Sequence, residues 1–506
     1  MVRRVTGILC IVCLAFFSLI LPGCSLNKTE SDKSLSESST MAETQGDSGI
    51  HPLKGKNINM TILGISGWVP SKIAGDMASE FTKYAKDKYG YNAAFNYSDA
   101  PFGNLYNIAA KSLAERSNKY NIIVSDSQWL GAFAEPGWIV QLNDIINNNP
   151  ELKNVEWYDP VVKSGYMAYP DGTNDLWGLP QEGDVIVLYV RKDMLQDPAE
   201  RNAFRERYNS DLPQNYEDFV SLSIDEFEKM AEFFTRPDKG LYGTALEYSR
   251  EYDYMSGYLY PFIWSTGGEI WDAGSGKIFG ILNTSNNARA LERMVNLLKF
   301  NPPGAINYGI DEVVDAFAKG KVFSAFQWAA MGQAIITPEL RDKVLVVPPP
   351  GFKTNNGNER VYSLGGQPWV INKFNDEDQM KVAIDFLKWW YLPETQIEFM
   401  RRGGNPTTRA ALESPEFENT NPWNKAYKYM FTQKRARDFW HDPKYSELLA
   451  VQQAAFTGYA TGVIKNAKEA LDFAAYQQQK ILYESGRTDI APPDIDLKTL
   501  QNQEVK

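Results

Sequence analysis

At 506 residues the chain is long enough for two or more domains, and its 43% hydrophobic and 23% charged content is ordinary for a soluble globular protein. A net charge of −11 argues against nucleic acid as a partner, because phosphates require a basic face. Aromatic residues reach 13%, with 13 Trp and 27 Tyr. They supply rings for a large core and flat apolar surfaces with polar tips for partly wet sites.

The chain opens on Arg3 and Arg4, followed by an apolar segment over residues 7–21 that is too short to span a bilayer as a helix. Leu21-Pro22-Gly23-Cys24 resembles a bacterial lipobox, which makes residues 1–23 a lipoprotein signal peptide and Cys24 the lipid-bearing residue. The alternatives are a simple secretory signal or an uncleaved anchor. Cys10 and Cys13 lie within the apolar segment, so cleavage leaves only Cys24 and no disulfide within the chain. Residues 24–56 are rich in Ser, Glu, Asp, Lys and Thr, which predicts a disordered tether.

Residues 59–65 read as a strand. Ile73, Met77, Phe81, Tyr84 and Ala85 then fall at helical spacing up to Gly90. A second strand is expected over 91–97, a helix over 105–116 and a third strand over 120–124. This recurrence after about 30 residues is the length of a βαβ unit. It predicts a parallel α/β domain whose ligand edge lies beyond the strand C-termini, at the loops holding Trp68 and Asp126 to Trp129. Val185 to Val190 is a run of β-branched, aliphatic and aromatic residues, the mark of a buried strand, and Gln181, Glu182 and Asp184 crowd its mouth. Residues 198–222 are a polar excursion or short helices, and 224–235 an amphipathic helix. The window 247–269 is the most aromatic, with Tyr252, Tyr254, Tyr258 and Trp264 among its rings. Further helices are expected over 287–300, 311–318, 378–391, 424–440, 446–459 and 466–483. Further strands are expected over 322–328 and 344–347, and at the end of Leu364-Gly365-Gly366-Gln367-Pro368-Trp369-Val370-Ile371.

Several phrases then coincide: the lipobox and tether; Leu179-Pro180 ahead of Leu188-Tyr189-Val190-Arg191-Lys192-Asp193; Phe317 to Lys321 ahead of a strand ending in Trp328; Leu364-Gly365-Gly366; Gly404-Asn405-Pro406-Thr407-Thr408-Arg409; and Ala467 to Leu471 with Ala474 and Ala475. In this order, from about residue 57 to 483, the chain resembles the extracellular solute-binding proteins of carbohydrate-type ABC importers. The resemblance implies a two-lobe α/β fold of the periplasmic-binding-protein type II. Each lobe would be a mostly parallel sheet flanked by helices, here with an enlarged helical C-terminal region. Lobe 1 would take residues 57–183 and 344–392, lobe 2 residues 184–343 and 393–486, and residues 487–506 a tail. The stretch 179–195, residues 344–351 and residues 389–396 would cross between lobes. The lobes would close on a ligand by hinge motion and present it to a membrane permease.

A sugar offers hydroxyls around its rim and apolar faces above and below, so its site needs aromatic platforms and polar side chains in a cleft. Candidates are Trp68, Asp126 and Trp129 on first-lobe loops, Glu182 and Asp184 at the hinge, and Tyr254 and Tyr258 on the aromatic helix. Trp328 at a strand end, Gln367 and Trp369 after the glycines, and Arg409 after a turn complete the set. Each has packing as its alternative role, and an inward Arg409 would favour an anionic ligand.

Only two His exist, His51 and His441, which disfavours a Ser-His-Asp triad or a His-rich metal site. Gly274-Ser-Gly-Lys277 lacks the remainder of a phosphate loop. No catalytic residue, cofactor or metal is expected. The reading is a monomeric, lipid-anchored, extracytoplasmic receptor that passes a sugar or sugar-like polyol to an ABC permease. The alternatives are a lipoprotein enzyme acting on polysaccharide, or a binder of a non-sugar organic ligand.

Overall fold

The computed structural model describes residues 50–158, 160–355 and 357–494, and the lipobox and most of the expected tether lie outside them. A compact unit begins at His51. The tether was expected to run to residue 56, but Leu53 is fully buried and the His51 imidazole lies 3.2 Å from Asp385 and stacks on Tyr91. A short apolar side chain and one ring suffice to dock this stretch.

The first sheet is built on β1 (Asn57–Ile65), which pairs in parallel with β2 (Asn92–Ala100) and β3 (Ile122–Val124). Between β1 and β2 runs α1 (Val69–Tyr89), which buries Ile73, Met77, Phe81 and Ala85 at one-turn spacing. Gly90 ends it at φ 78°, with its N–H on the carbonyls of Ala85 and Lys86. α2 (Phe102–Ala114) returns the chain to β3. β4 (Leu179–Pro180) lies at the sheet edge, and the order is β2-β1-β3-β11-β4, with β11 (Pro368–Ile371) antiparallel to both neighbours.

The second sheet is organised on β5 (Asp184–Arg191), which is buried from Asp184 to Val190, as its unbroken apolar run predicts. β6 (Ser324–Trp328), β7 (Val344–Val347) and β10 (Tyr362–Gly365) are all antiparallel to it, and the parallel partner of β10 is β12 (Ala436–Arg437). Between β7 and β10, β8 (Phe352–Thr354) and β9 (Gly357–Glu359) form a hairpin. The mixed α/β class holds, but the second sheet is not mostly parallel. β5 arrives from the first sheet, so it runs against the strands that its own half supplies.

Two expected crossings move. Val344 to Val347 pairs with β5 and not with the first sheet, and the chain passes between sheets at Gly366 and Gln367. Residues after 392 were expected to join the second half, yet helix Pro393–Arg401 stays on α1, with Arg402 2.7 Å from Glu80. The chain returns to the second sheet by helix Asn424–Thr432, which packs on β5 and β7. That helix stops near Lys434, at φ 55°, and does not run on to residue 440 as expected. Residues 198–222 form helices Pro198–Tyr208 and Tyr216–Ser221. The C-terminal pair Tyr445–Ala460 and Ala467–Glu484 pack on each other, and the second lies on helix Ser285–Asn296. The expected tail is anchored at its start, where Arg487 reaches Glu135 at 2.7 Å and Asp442 at 3.1 Å.

Candidate functional site

A cavity of about 700 Å³ lies between loops of the two sheets, within the roughly 300–1,000 Å³ of small-molecule sites. β1, β2 and β3 end at Ile65, Ala100 and Val124. Residues 66–68, 101–104, Asp126 and Gln128 follow them and form one wall. Parallel strands open such a crevice at their C-terminal ends. The other wall comes from residues 251–254 and 309–312 with Trp328, and the Leu364-to-Gln367 passage forms the floor.

Trp68, Asp126, Tyr254, Trp328 and Gln367 thus meet in the cavity. The Trp68 indole N–H donates to Glu182 Oε1, which fixes the ring beside the crossing segment. Asp126 Oδ2 accepts the Tyr252 hydroxyl and ties the two walls together, and Oδ1 accepts from Ser127 at 3.2 Å. Burial pushes the Asp126 carboxyl up to about 7 against those bonds. Trp328 sits close against Gly365, which has no side chain. A Cβ there would stand 2.6 Å from the ring.

Glu182 and Asp184 are fully buried beneath the floor and do not line it. Asp184 Oδ1 accepts the backbone N–H groups of Val185 at 2.8 Å and Ala330 at 3.1 Å, which braces the start of β5 against the turn after β6. Burial raises both carboxyls well above the ordinary range, and for Glu182 the neighbouring Asp184 charge adds to it.

Four further candidates lie outside the cavity lining. Trp129 is in the core, 5.6 Å from Phe102 and packed on Phe133. Tyr258 is buried, with its hydroxyl 3.2 Å from Glu247 Oε1. Trp369 faces inward from β11 and meets Trp390 edge-on at 5.5 Å. In each case the whole ring is taken into the core, where its large apolar area is buried. Arg409 is on the outer face, stacked over Tyr158 at 4.2 Å and paired with Glu413 at 3.1 Å, so it does not charge the cavity.

Sequence reasoning missed Phe102, Gln128, Glu251, Tyr252, Asp253, Asp311 and Glu312, which also line the cavity. Tyr252 carried one local signal: its Ser-Arg-Glu-Tyr-Asp setting is a turn, and it adopts φ 42°. Its ring meets Phe102 edge-on at 4.8 Å. Burial, then the Asp126 and Glu247 charges, hold the Asp253 carboxyl well above its ordinary value. Away from the mouth a second set of contacts joins the same halves. Gln128 Nε2 donates to Asp438 Oδ1 at 2.7 Å, and the His441 ring lies 2.8 Å from Asp171 and 3.0 Å from Asp438 Oδ2. Among the described residues no group of three or more His, Cys, Asp or Glu is arranged to hold a metal ion.

The family model described as "Bacterial extracellular solute-binding protein" matches residues 74–397. An ABC transporter solute-binding protein from Agrobacterium radiobacter K84, solved with ribitol, is similar at 21% identity and a TM-score of 0.67, over 85% of this chain and 100% of that one. Maltose-bound MalE3 from T. maritima is similar at 19% identity and a TM-score of 0.66, over 84% and 100%. A solute-binding protein from Agrobacterium vitis S4 with D-mannitol is similar at 15% identity and a TM-score of 0.63, over 85% and 99%. At these identities the likeness is one of fold.

Proposed function

Because the chain belongs to the bacterial extracellular solute-binding protein family, we propose that it captures a sugar or polyol in the cavity and delivers it to an ABC importer permease. The observation that carries this reading is a cavity shared by loops of two sheets. Aromatic rings (Trp68, Phe102, Tyr252, Tyr254, Trp328) stand there beside carboxyl and amide groups, the pairing that a hydroxylated ring requires. Neighbours of the same fold were solved with ribitol, tagatose, D-mannitol and maltose.

The lobes are residues 51–182 with 367–404, and residues 184–365 with 424–490. They are joined at Gly183, at Gly366 and through 405–423. Closure brings both walls onto the ligand, and the contacts made only in the closed state shift the equilibrium toward it. The Tyr252–Asp126 bond is one such contact made within the protein itself. The protein works as a monomer and alters no bond of its ligand. Cys24 carries lipid and holds it on the outer side of a cell membrane. Its replacement by alanine moves the protein from the membrane to the soluble fraction.

Thermal melts of the full chain with ribitol, D-mannitol, tagatose, maltose and longer oligosaccharides test the reading. The expected result is a rise in Tm with one or more of them, accompanied by a change in tryptophan fluorescence and no turnover. Release of reducing sugar from a glycan, or no response to any of the panel or to its amine-bearing counterparts, would overturn it.

A further inference from the structure

The lining is one-sided in charge and in hydrogen bonding. Asp126, Glu251, Asp253, Asp311 and Glu312 face the cavity from both walls, and among the described residues no Lys, Arg or His lines it. Three lining donors are spent within the protein: the Trp68 indole on Glu182, the Tyr252 hydroxyl on Asp126, and Gln128 Nε2 on Asp438. Two lining acceptors are left over. Gln128 Oε1 and Gln367 Oε1 are buried without a donor, on lining residues only 3% and 5% exposed. The bond from Gln128 Nε2 to a carboxylate fixes which end of that amide is the acceptor.

Buried acceptors without donors cost free energy, as do like charges with no countercharge. A neutral sugar offers hydroxyl hydrogens but brings no countercharge to the carboxyl groups of this half-enclosed cleft. We infer that the ligand of this cavity is cationic, a polyhydroxylated ring bearing a protonated amine, such as an amino sugar, its oligomers or an aminocyclitol. The ammonium supplies three donors and one positive charge. The aromatic rings of the walls hold the apolar faces, and Trp328 or Tyr254 can also receive the cation on its face. Elevation of the Asp126 and Asp253 carboxyls fits this reading, since a cation beside them would return them to the charged form.

The inference rests on the sugar-binding reading, and matched ligands separate the two. The full chain is titrated calorimetrically at about pH 6, where such an amine is protonated. The first set is D-glucosamine, N-acetyl-D-glucosamine and D-glucose. The second is chitosan trimer, its N-acetylated form and maltotriose. Binding of the amine member at least about tenfold tighter, about 1.4 kcal/mol, than both its partners is expected. That margin should shrink in high salt. Asp253→Asn and, on the exposed rim, Glu251→Gln should each lower the affinity for the amine member by more than that for its neutral partners, and so reduce the margin. Equal or better binding of the neutral members overturns the cationic assignment and leaves sugar binding standing. If neither these sugars nor the neutral polyols and oligosaccharides bind, the proposed function and this inference both fail.

Discussion

Gly366→Ala puts a methyl group where two chain segments pass one another. At φ 95° a Cβ would stand 2.7 Å from the Glu182 carbonyl oxygen, 2.8 Å from the Asp184 nitrogen and 2.9 Å from the Gly183 carbonyl carbon. All three are backbone atoms, which cannot rotate aside. The left-handed backbone costs alanine about 1–2 kcal/mol, and forcing a methyl into a filled space adds about 1–3 kcal/mol. The sum is about 2–5 kcal/mol. Gly267 supplies the control, because it has φ 78° and nothing within 4 Å of its Cβ. Gly267→Ala should therefore cost only the conformational part, and the unfolded-chain entropy that alanine removes cancels between the two variants. Urea unfolding followed by tryptophan fluorescence reads the difference. The two variants should be separated by at least about 1 kcal/mol, with ligand affinity altered only in Gly366→Ala. Equal costs would mean that the segments at Glu182 and Gly366 are not pressed together, and the passage between sheets would have to be redrawn.

Trp328→Ala should abolish most ligand binding while costing little stability, and Trp129→Ala should do the reverse, losing about 3–5 kcal/mol as a core ring; melts and titrations of the pair decide it. Asp126 has its carboxyl raised to about 7, so the stability it confers is complete below about pH 4 and is lost as pH rises through 7. Asp126→Asn should therefore gain on the wild type by up to about 4 kcal/mol between those pH values, read by urea unfolding, and a constant gap would refute the burial argument. His441 is raised to about 10 by Asp171 and Asp438, against the effect of burial. Its contribution is whole below about pH 6 and fades as pH climbs to 10, so the advantage of the wild type over His441→Gln should shrink by about 2–4 kcal/mol across that span.

What was legible in the sequence was local. The run from Val185 to Val190 announces a strand covered on both sides whatever lies against it, and it is the spine of the second sheet. The repeat of strand and helix from residue 57 to 124 placed Trp68 and Asp126 at strand ends before any contact was known. Direction and partner were not local. Val344 to Val347 is as apolar as a first-sheet strand would be, and only its register against Leu188 to Arg191 assigns it. A ring in a sequence does not state which way it turns, so Trp129, Tyr258 and Trp369 looked like binding platforms while serving as packing. The acidic wall was hidden for the opposite reason. Glu251, Asp253, Asp311 and Glu312 are ordinary polar loop and helix-start residues until folding gathers them around one space.

Asp438 keeps two appointments with a single carboxylate. One oxygen holds the amide of Gln128, a residue of the cavity lining, and the second holds His441, which is also engaged by Asp171. On the proposed hinge motion, opening the mouth would part Gln128 from that oxygen, so how tightly the histidine reins in the carboxylate would set how readily the jaws come apart. A substitution at His441, out of sight of any guest molecule, should accordingly change how quickly one escapes.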